Sequence, residues 1–164
     1  MTVGLLVVGE ITQHMRDRLD PVFNLHFASE IDDMTGFLRE EGGTIAYALT
    51  DGHYGVPRDW MDALPALKLI SNYGVGYDAI DVGLSRDRGV LVTHTPGVLS
   101  DEVATTALML MLASYRNLLA SDAYVRAGRW ARDGHMPLSR SADNRRVGIL
   151  GLGRIGLALA KKLE

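Results

Sequence analysis

The sequence predicts an α/β fold built on a parallel sheet with helices over both faces, and three observations carry that prediction. Short apolar runs alternate with segments of helical periodicity through residues 1–96, as repeated strand–helix units do. Glycine, proline and polar clusters separate the runs. Further on, a glycine-rich turn, Gly151-Leu152-Gly153-Arg154-Ile155-Gly156, sits between an apolar run and another helical pattern.

The first strand reads Val3 to Val8, closed by Gly9, with a helix near Thr12 to Leu19. Pro21 breaks that helix before Val22 to Phe27 resumes as strand. Ile31, Met34, Phe37 and Leu38 then recur at helical spacing on one apolar face. Gly42-Gly43 ends this helix, because glycine readily reaches the backbone angles a helix stop requires. Thr44 to Leu49 is the third strand, followed by the polar loop Thr50 to Val56. Pro57 suits the first turn of a short helix carrying Trp60, Met61 and Leu64. Leu67 to Asn72 and Val90 to Thr93 are the fourth and fifth strands, joined by a helical connection with Ile80, Val82 and Leu84 that Gly89 closes. This order is that of a flavodoxin-like domain, assigned to residues 1–99.

A second unit is assigned to residues 100–164. Ser100 is placed as a helix cap, with Asp101 and Glu102 at the positive end of the helix. From Val103 through Leu119 the chain is apolar almost all round, so this helix expects protein on several sides. Its methionines read as adaptable core filling. Arg126 to Asn144 has no sustained period and reads as an ordered arm, with Trp130 and Met136 held against other protein surface. Arg146 to Leu150 reads as a buried strand leading into the glycine turn.

Composition narrows the function. An apolar fraction of 47% and a charged fraction of 23% are ordinary for a globular protein. A net charge of −3 gives no support to nucleic-acid binding, and the cluster Arg140, Arg145 and Arg146 reads as a solvated loop. With no cysteine, disulfides, thiolate metal sites and cysteine nucleophiles are excluded. The start of the chain lacks the basic lead and apolar length of a secretory signal. The apolar stretch Val103 to Ala113 is too short to span a bilayer comfortably. A cytoplasmic location without a membrane partner is therefore the default expectation. The histidines show no metal-ligand spacing, and no metal site is assigned. His94 follows a strand and stands either near a cleft or in a packed, hydrogen-bonded role. Asp78 and Asp81 lie at a helix start, where capping is favoured over acid/base work.

Two motifs carry chemistry. In the glycine turn, Gly151 permits a tight bend, Gly153 lets the backbone approach a pyrophosphate, and Gly156 permits close helix–strand packing. Amides at the following helix start can hold phosphate oxygens, and Arg154 can add charge. This reads as the start of a Rossmann-type nucleotide domain for NAD or NADP; the alternative is a purely structural glycine turn. The acid that reads the ribose usually stands about twenty residues further on, so the choice between the two cofactors stays open. The other motif is Asn72-Tyr73-Gly74-Val75-Gly76-Tyr77-Asp78. Two glycines after a strand can form a concave turn of backbone N–H groups that takes an anion without a basic side chain; the alternative is an ordinary strand–helix turn. The loop Thr50 to Gly55, which includes Gly52 and His53, ends another strand and could collect substrate contacts.

Together these segments resemble the D-isomer-specific 2-hydroxy-acid dehydrogenases, and most of all the glyoxylate and hydroxypyruvate reductase branch. The resemblance rests on the Asn72 to Asp78 motif, Gly89-Val90-Leu91-Val92-Thr93-His94-Thr95-Pro96-Gly97, Asp101-Glu102-Val103-Ala104-Thr105-Thr106-Ala107, and Val147 through Gly156. It implies a flavodoxin-like substrate domain with a nucleotide domain inserted, reducing 2-keto acids with NADH or NADPH. By resemblance, the backbone at Val75 and Gly76 receives the substrate carboxylate, and the loop with Gly52 and His53 borders the substrate. Thr106 lies beside the nicotinamide, while Arg154 and Ile155 follow the glycine turn against the pyrophosphate. The family's catalytic histidine, its partner carboxylate and its substrate-holding arginine belong to a later part of the chain. No residue here matches them, so no catalytic residue is assigned. The chain is expected to be an N-terminal portion, inactive without the remaining half, and to form a homodimer or associate with a completing fragment. Two other readings are a non-enzymatic assembly module and a flavodoxin-like anion-sensing domain.

Overall fold

The computed structural model describes residues 3–164. They form two compact units, the first reaching Pro96 and the second starting at Gly97.

In the first unit the strands are Val3–Val7 (β1), Phe23–Phe27 (β2), Ile45–Thr50 (β3), Leu69–Asn72 (β4) and Leu91–Thr93 (β5). All pairings are parallel, in the order β2-β1-β3-β4-β5, which is the flavodoxin-like arrangement. Parallel neighbours need crossovers, and the helices Gln13–Leu19 (α1), Met34–Glu41 (α2), Arg58–Asp62 (α3) and Val82–Asp87 (α4) supply them. Alternation along β1 divides the core. Leu6 joins Leu38, Ile45, Met61, Leu64 and Ile70 on one face, while Leu5, Val7 and Leu49 meet Met15 and Leu19 of α1 on the other. Leu6, Ile45, Met61 and Ile70 are wholly buried. Each such side chain stabilises the unit by roughly 1.5–3 kcal/mol over its exposed state.

Local signals set the helix starts. The Thr12 hydroxyl accepts from the Met15 amide at 3.2 Å, and Asp33 Oδ1 accepts from the Gly36 amide at 3.0 Å. The Asp33 cap excludes Ile31 from α2, and a 3-10 turn, Ala28–Glu30, precedes it.

The second unit holds Ser100–Tyr115 (α5), Leu118–Arg126 (α6), Arg129–Asp133 (α7) and Arg154–Leu163 (α8). Four sequence expectations need correction here. Ser100 is already helical, and Leu99 takes the cap position without a side-chain bond. The apolar stretch is two helices rather than one, because Asn117 turns left-handed at φ 51° and interrupts it. Within this chain Met109, Leu110, Leu118 and Leu119 are all exposed.

The third correction concerns the arm, which contains α7. It is ordered by Tyr124, whose hydroxyl donates to the Gly134 carbonyl at 2.9 Å and whose ring lies 4.5 Å beneath the Arg129 guanidinium. Trp130 is exposed instead of pinned. The fourth is that Arg146 to Leu150 pairs with no strand among the described residues and is no strand itself; Val147 and Leu150 are exposed. A β-ladder needs a neighbour, and none of the described strands belongs to this unit. What does pack is α8 along α5, with Ala104 and Gly156 buried. No single helix among the described residues is long and apolar enough to cross a membrane.

Candidate functional site

The carboxyl ends of β3, β4 and β5 bring three loops of the first unit together, at the edge where parallel sheets hold ligands. After β3, Asp51 Oδ1 accepts from the amides of His53 at 2.8 Å and Tyr54 at 3.0 Å, which curls the loop back on itself. The buried Thr50 hydroxyl donates to the Gly55 carbonyl at 2.6 Å and closes it. The loop then seats on the one after β4 at two glycines. A Cβ on Gly52 would stand 2.6 Å from the Gly76 oxygen, and one on Gly55 would collide with the Ala79 carbonyl.

The loop after β4 is tethered through three consecutive carbonyls. Asn72, buried at the end of β4, donates through Nδ2 to the Gly76 oxygen at 2.7 Å and the Gly74 oxygen at 3.2 Å. Gly74 also accepts from the Thr95 amide beyond β5 at 2.9 Å. Between them, the Val75 oxygen lies 3.0 Å from His94 Nδ1. A carbonyl can only accept, so Nδ1 carries the proton and the tautomer is fixed. The His94 ring is further held edge-on to Tyr77 at 4.9 Å. Because a trans peptide sets N–H opposite C=O, each tethered carbonyl turns the next amide outward. The amides of Val75, Gly76 and Tyr77 donate to no group among the described residues. Three oriented, open donors at a half-exposed turn are what an anion site requires.

The helix behind this loop is set by Asp81, which caps α4 by accepting from the Leu84 amide at 2.8 Å and pairs with Arg58 at 2.7 Å. The Leu84 amide is the largest influence and lowers its carboxyl below the usual aspartate range; burial opposes it, and the Arg58 guanidinium adds to the lowering. A depressed folded-state value stabilises the folded protein above the unfolded aspartate pKa, and that contribution is lost as pH falls through the folded one. Carboxyl carbon shifts followed from pH 7 to pH 2 should show Asp81 titrating below the usual aspartate range. Asp81→Asn should flatten this part of the stability profile.

In the second unit the glycine turn leads into α8, with no strand directly ahead of it among the described residues. Gly151 is left-handed at φ 92°, a conformation glycine adopts without strain. Gly153 caps α8 with no side-chain bond, and its Cβ direction opens on empty space. Gly156 is buried where a Cβ would run into the Gly151 carbonyl, 3.4 Å from the Ile149 side chain. The first amides of α8 therefore face an unobstructed turn, which fits a dinucleotide pyrophosphate. Arg154 and Ile155 occupy that first turn, both exposed. Thr106 is exposed on α5.

Of the residues singled out in the sequence, Val75, Gly76 and Gly52 come together in the first unit. His53 shares the loop of Gly52, exposed and stacked edge-on to Tyr54 at 5.0 Å. Gly151, Gly153, Arg154, Ile155 and Gly156 form one turn in the second. Sequence reasoning missed the tethers. Asn72 was read only as part of a motif, and the sole hint was a polar amide as the last residue of an otherwise apolar strand.

The family model for the D-isomer specific 2-hydroxyacid dehydrogenase catalytic domain matches residues 7–147. A 2-ketogluconate reductase from Gluconobacter oxydans is 38% identical over 160 residues, covering 98% of this chain and 50% of that protein. The structure of a 2-hydroxyacid dehydrogenase from Ketogulonicigenium vulgare superimposes with a TM-score of 0.91 at 41% identity, over 99% of this chain and 52% of that one. An NADPH-dependent glyoxylate/hydroxypyruvate reductase from Sinorhizobium meliloti, solved with NADP and malonate, gives 0.86 at 39% identity, over 99% and 50%. This chain belongs to the D-isomer-specific 2-hydroxyacid dehydrogenase family. It spans about half the length of the curated relatives it matches.

Proposed function

We propose that this chain supplies the substrate-carboxylate grip and the first phosphate-binding turn of an NAD(P)-dependent reductase of small 2-keto acids such as glyoxylate or hydroxypyruvate. The observation that carries this is the loop after β4, with its carbonyls tethered and the amides of Val75 and Gly76 left open. Those amides take the carboxylate, with Gly52 and His53 bordering the substrate. Residues 1–99 act as the substrate domain and 100–164 as part of the nucleotide domain. There Gly151, Gly153, Arg154, Ile155 and Gly156 face the pyrophosphate, and Thr106 lies beside the nicotinamide. The open space over Gly153 and the uncapped start of α8 support that assignment. A bound nicotinamide supplies hydride to the keto carbon. The reduction also needs an acid beside the carbonyl oxygen and a cation to hold its developing charge, and no residue of this chain is given either role.

The binding of NADP and malonate by the Sinorhizobium relative supports a nicotinamide cofactor and a short carboxylate ligand. A cytoplasmic location belongs to the same proposal. So does a homodimer, or pairing with a completing fragment, for which the exposed Met109, Leu110, Leu118 and Leu119 are the favouring observation.

The test is an amide-resolved NMR titration of the 164-residue chain with malonate, glyoxylate and NADPH in turn. The carboxylates should shift Val75 and Gly76, and NADPH should shift Gly153 through Gly156. Mixed together, glyoxylate and NADPH should show no turnover at 340 nm beyond the blank. Carboxylate shifts confined to other loops would overturn the substrate assignment, and turnover by this chain alone would overturn the division of labour.

A further inference from the structure

An anion site made of backbone amides has a weakness that its own chemistry cannot repair. A loop with glycine at two of three positions has many conformations, and only some of them aim its N–H groups outward. The directing force must come from elsewhere. In this protein it comes from two side chains at the ends of different strands. Asn72, at the end of β4, spends both amide hydrogens on the carbonyls of Gly74 and Gly76. His94, just past β5, engages the carbonyl between them. The loop is thus gripped through alternate carbonyls by one residue and through the intervening one by the other. Asn72 Oδ1 is buried without a partner among the described residues, so the amide is oriented by its donor side.

We propose that Asn72 and His94 are positioning residues for carboxylate recognition, fixing the outward direction of the Val75, Gly76 and Tyr77 amides without touching the ligand. This rests on the reading that the loop receives the substrate carboxylate. For His94 the requirement is one N–H at the Nδ1 position, not a charge and not a ring. That requirement separates a positioning role from ordinary packing against Tyr77.

Three variants and one spectrum test it on the 164-residue chain, with malonate as the probe. His94→Phe keeps a ring against Tyr77 but has no donor. It should weaken malonate binding by about 3- to 10-fold, the value of one lost hydrogen bond. His94→Asn places an amide N–H close to the Nδ1 position and should restore affinity to within about twofold. Asn72→Asp sets carboxylate oxygens against two carbonyl oxygens and should weaken binding by more than about tenfold. In the parent chain, imidazole nitrogen shifts should show the Nδ1–H tautomer of His94. Amide shifts across β1 and β3 monitor the fold of each variant.

Equal malonate affinity in the parent and His94→Phe chains, or an Nε2-protonated His94, would overturn the positioning role while leaving the carboxylate assignment intact. Failure of His94→Asn to rescue would assign the loss to the ring and also overturn it. No malonate shift at Val75 and Gly76 in the parent chain would remove both readings together.

Discussion

Gly55→Ala is expected to destabilise the first unit by about 2–5 kcal/mol, more than any other single methyl addition in the loops around the site. Two costs combine. Gly55 sits at φ 64°, where an L-residue pays about 1–2 kcal/mol for crowding its own carbonyl. The added methyl also meets the Ala79 carbonyl, which is backbone and cannot rotate away, at an overpacking cost of about 1–3 kcal/mol. Gly89→Ala separates the two, since Gly89 has nearly the same φ of 69° but no atom within 4 Å of its would-be Cβ. It should lose the conformational part only. In urea the midpoint of Gly55→Ala should fall by roughly 1–3 M, and that of Gly89→Ala by less than half as much. Equal shifts would mean that the loop after β3 does not rest on Ala79. The consequence is functional, because the contact of Gly55 with Ala79 and that of Gly52 with Gly76 clamp one strand-end loop onto the other.

Why some of this was legible in the sequence and some was not follows from how far each feature depends on distant partners. The run Thr44 to Leu49 announces β3 because burial on both faces makes a strand apolar throughout. The Asp33 cap is just as local, a bond three residues long, but the helical spacing of Ile31 with Met34 hid it. Arg146 to Leu150 has equally strand-like composition, yet strand identity is a property of a pair, and this segment has none beside it. Asn117 was missed for another reason. Nothing in an apolar helical pattern marks the one residue that turns left-handed, although asparagine tolerates that region better than most. Trp130 was expected to be covered because tryptophan usually is, but Tyr124 and Arg129 order the arm without it. At the candidate site the glycines were visible, since glycine encodes a backbone demand directly. The tethers were not: the bond from His94 to Val75 spans 19 residues and leaves no local pattern, and the bond from Asn72 to Gly76, though only four residues long, exists because the loop curls back onto the strand end, which no helix or strand period marks.

Gly153→Ala and Gly156→Val make the corresponding test in the second unit, and they should fail in different ways. Gly153 has φ −83°, which alanine adopts freely, and open space where its Cβ would go. Gly153→Ala should therefore fold within about 0.5 kcal/mol of the parent chain. Its methyl, however, fills the approach to the first amides of α8, where phosphate oxygens must come within hydrogen-bond distance. NADPH affinity, measured by titration of the α8 amide shifts, should drop at least about tenfold, or about 1.4 kcal/mol. Gly156→Val acts from beneath. Its branched side chain would drive α8 off the Gly151 carbonyl and away from Ile149, so both thermal stability and NADPH binding should fall. A Gly153→Ala chain that binds NADPH as tightly as the parent would show that the phosphates do not lie over Gly153. The glycine there would then serve the shape of the turn alone, and the nucleotide assignment for this unit would lose its physical basis.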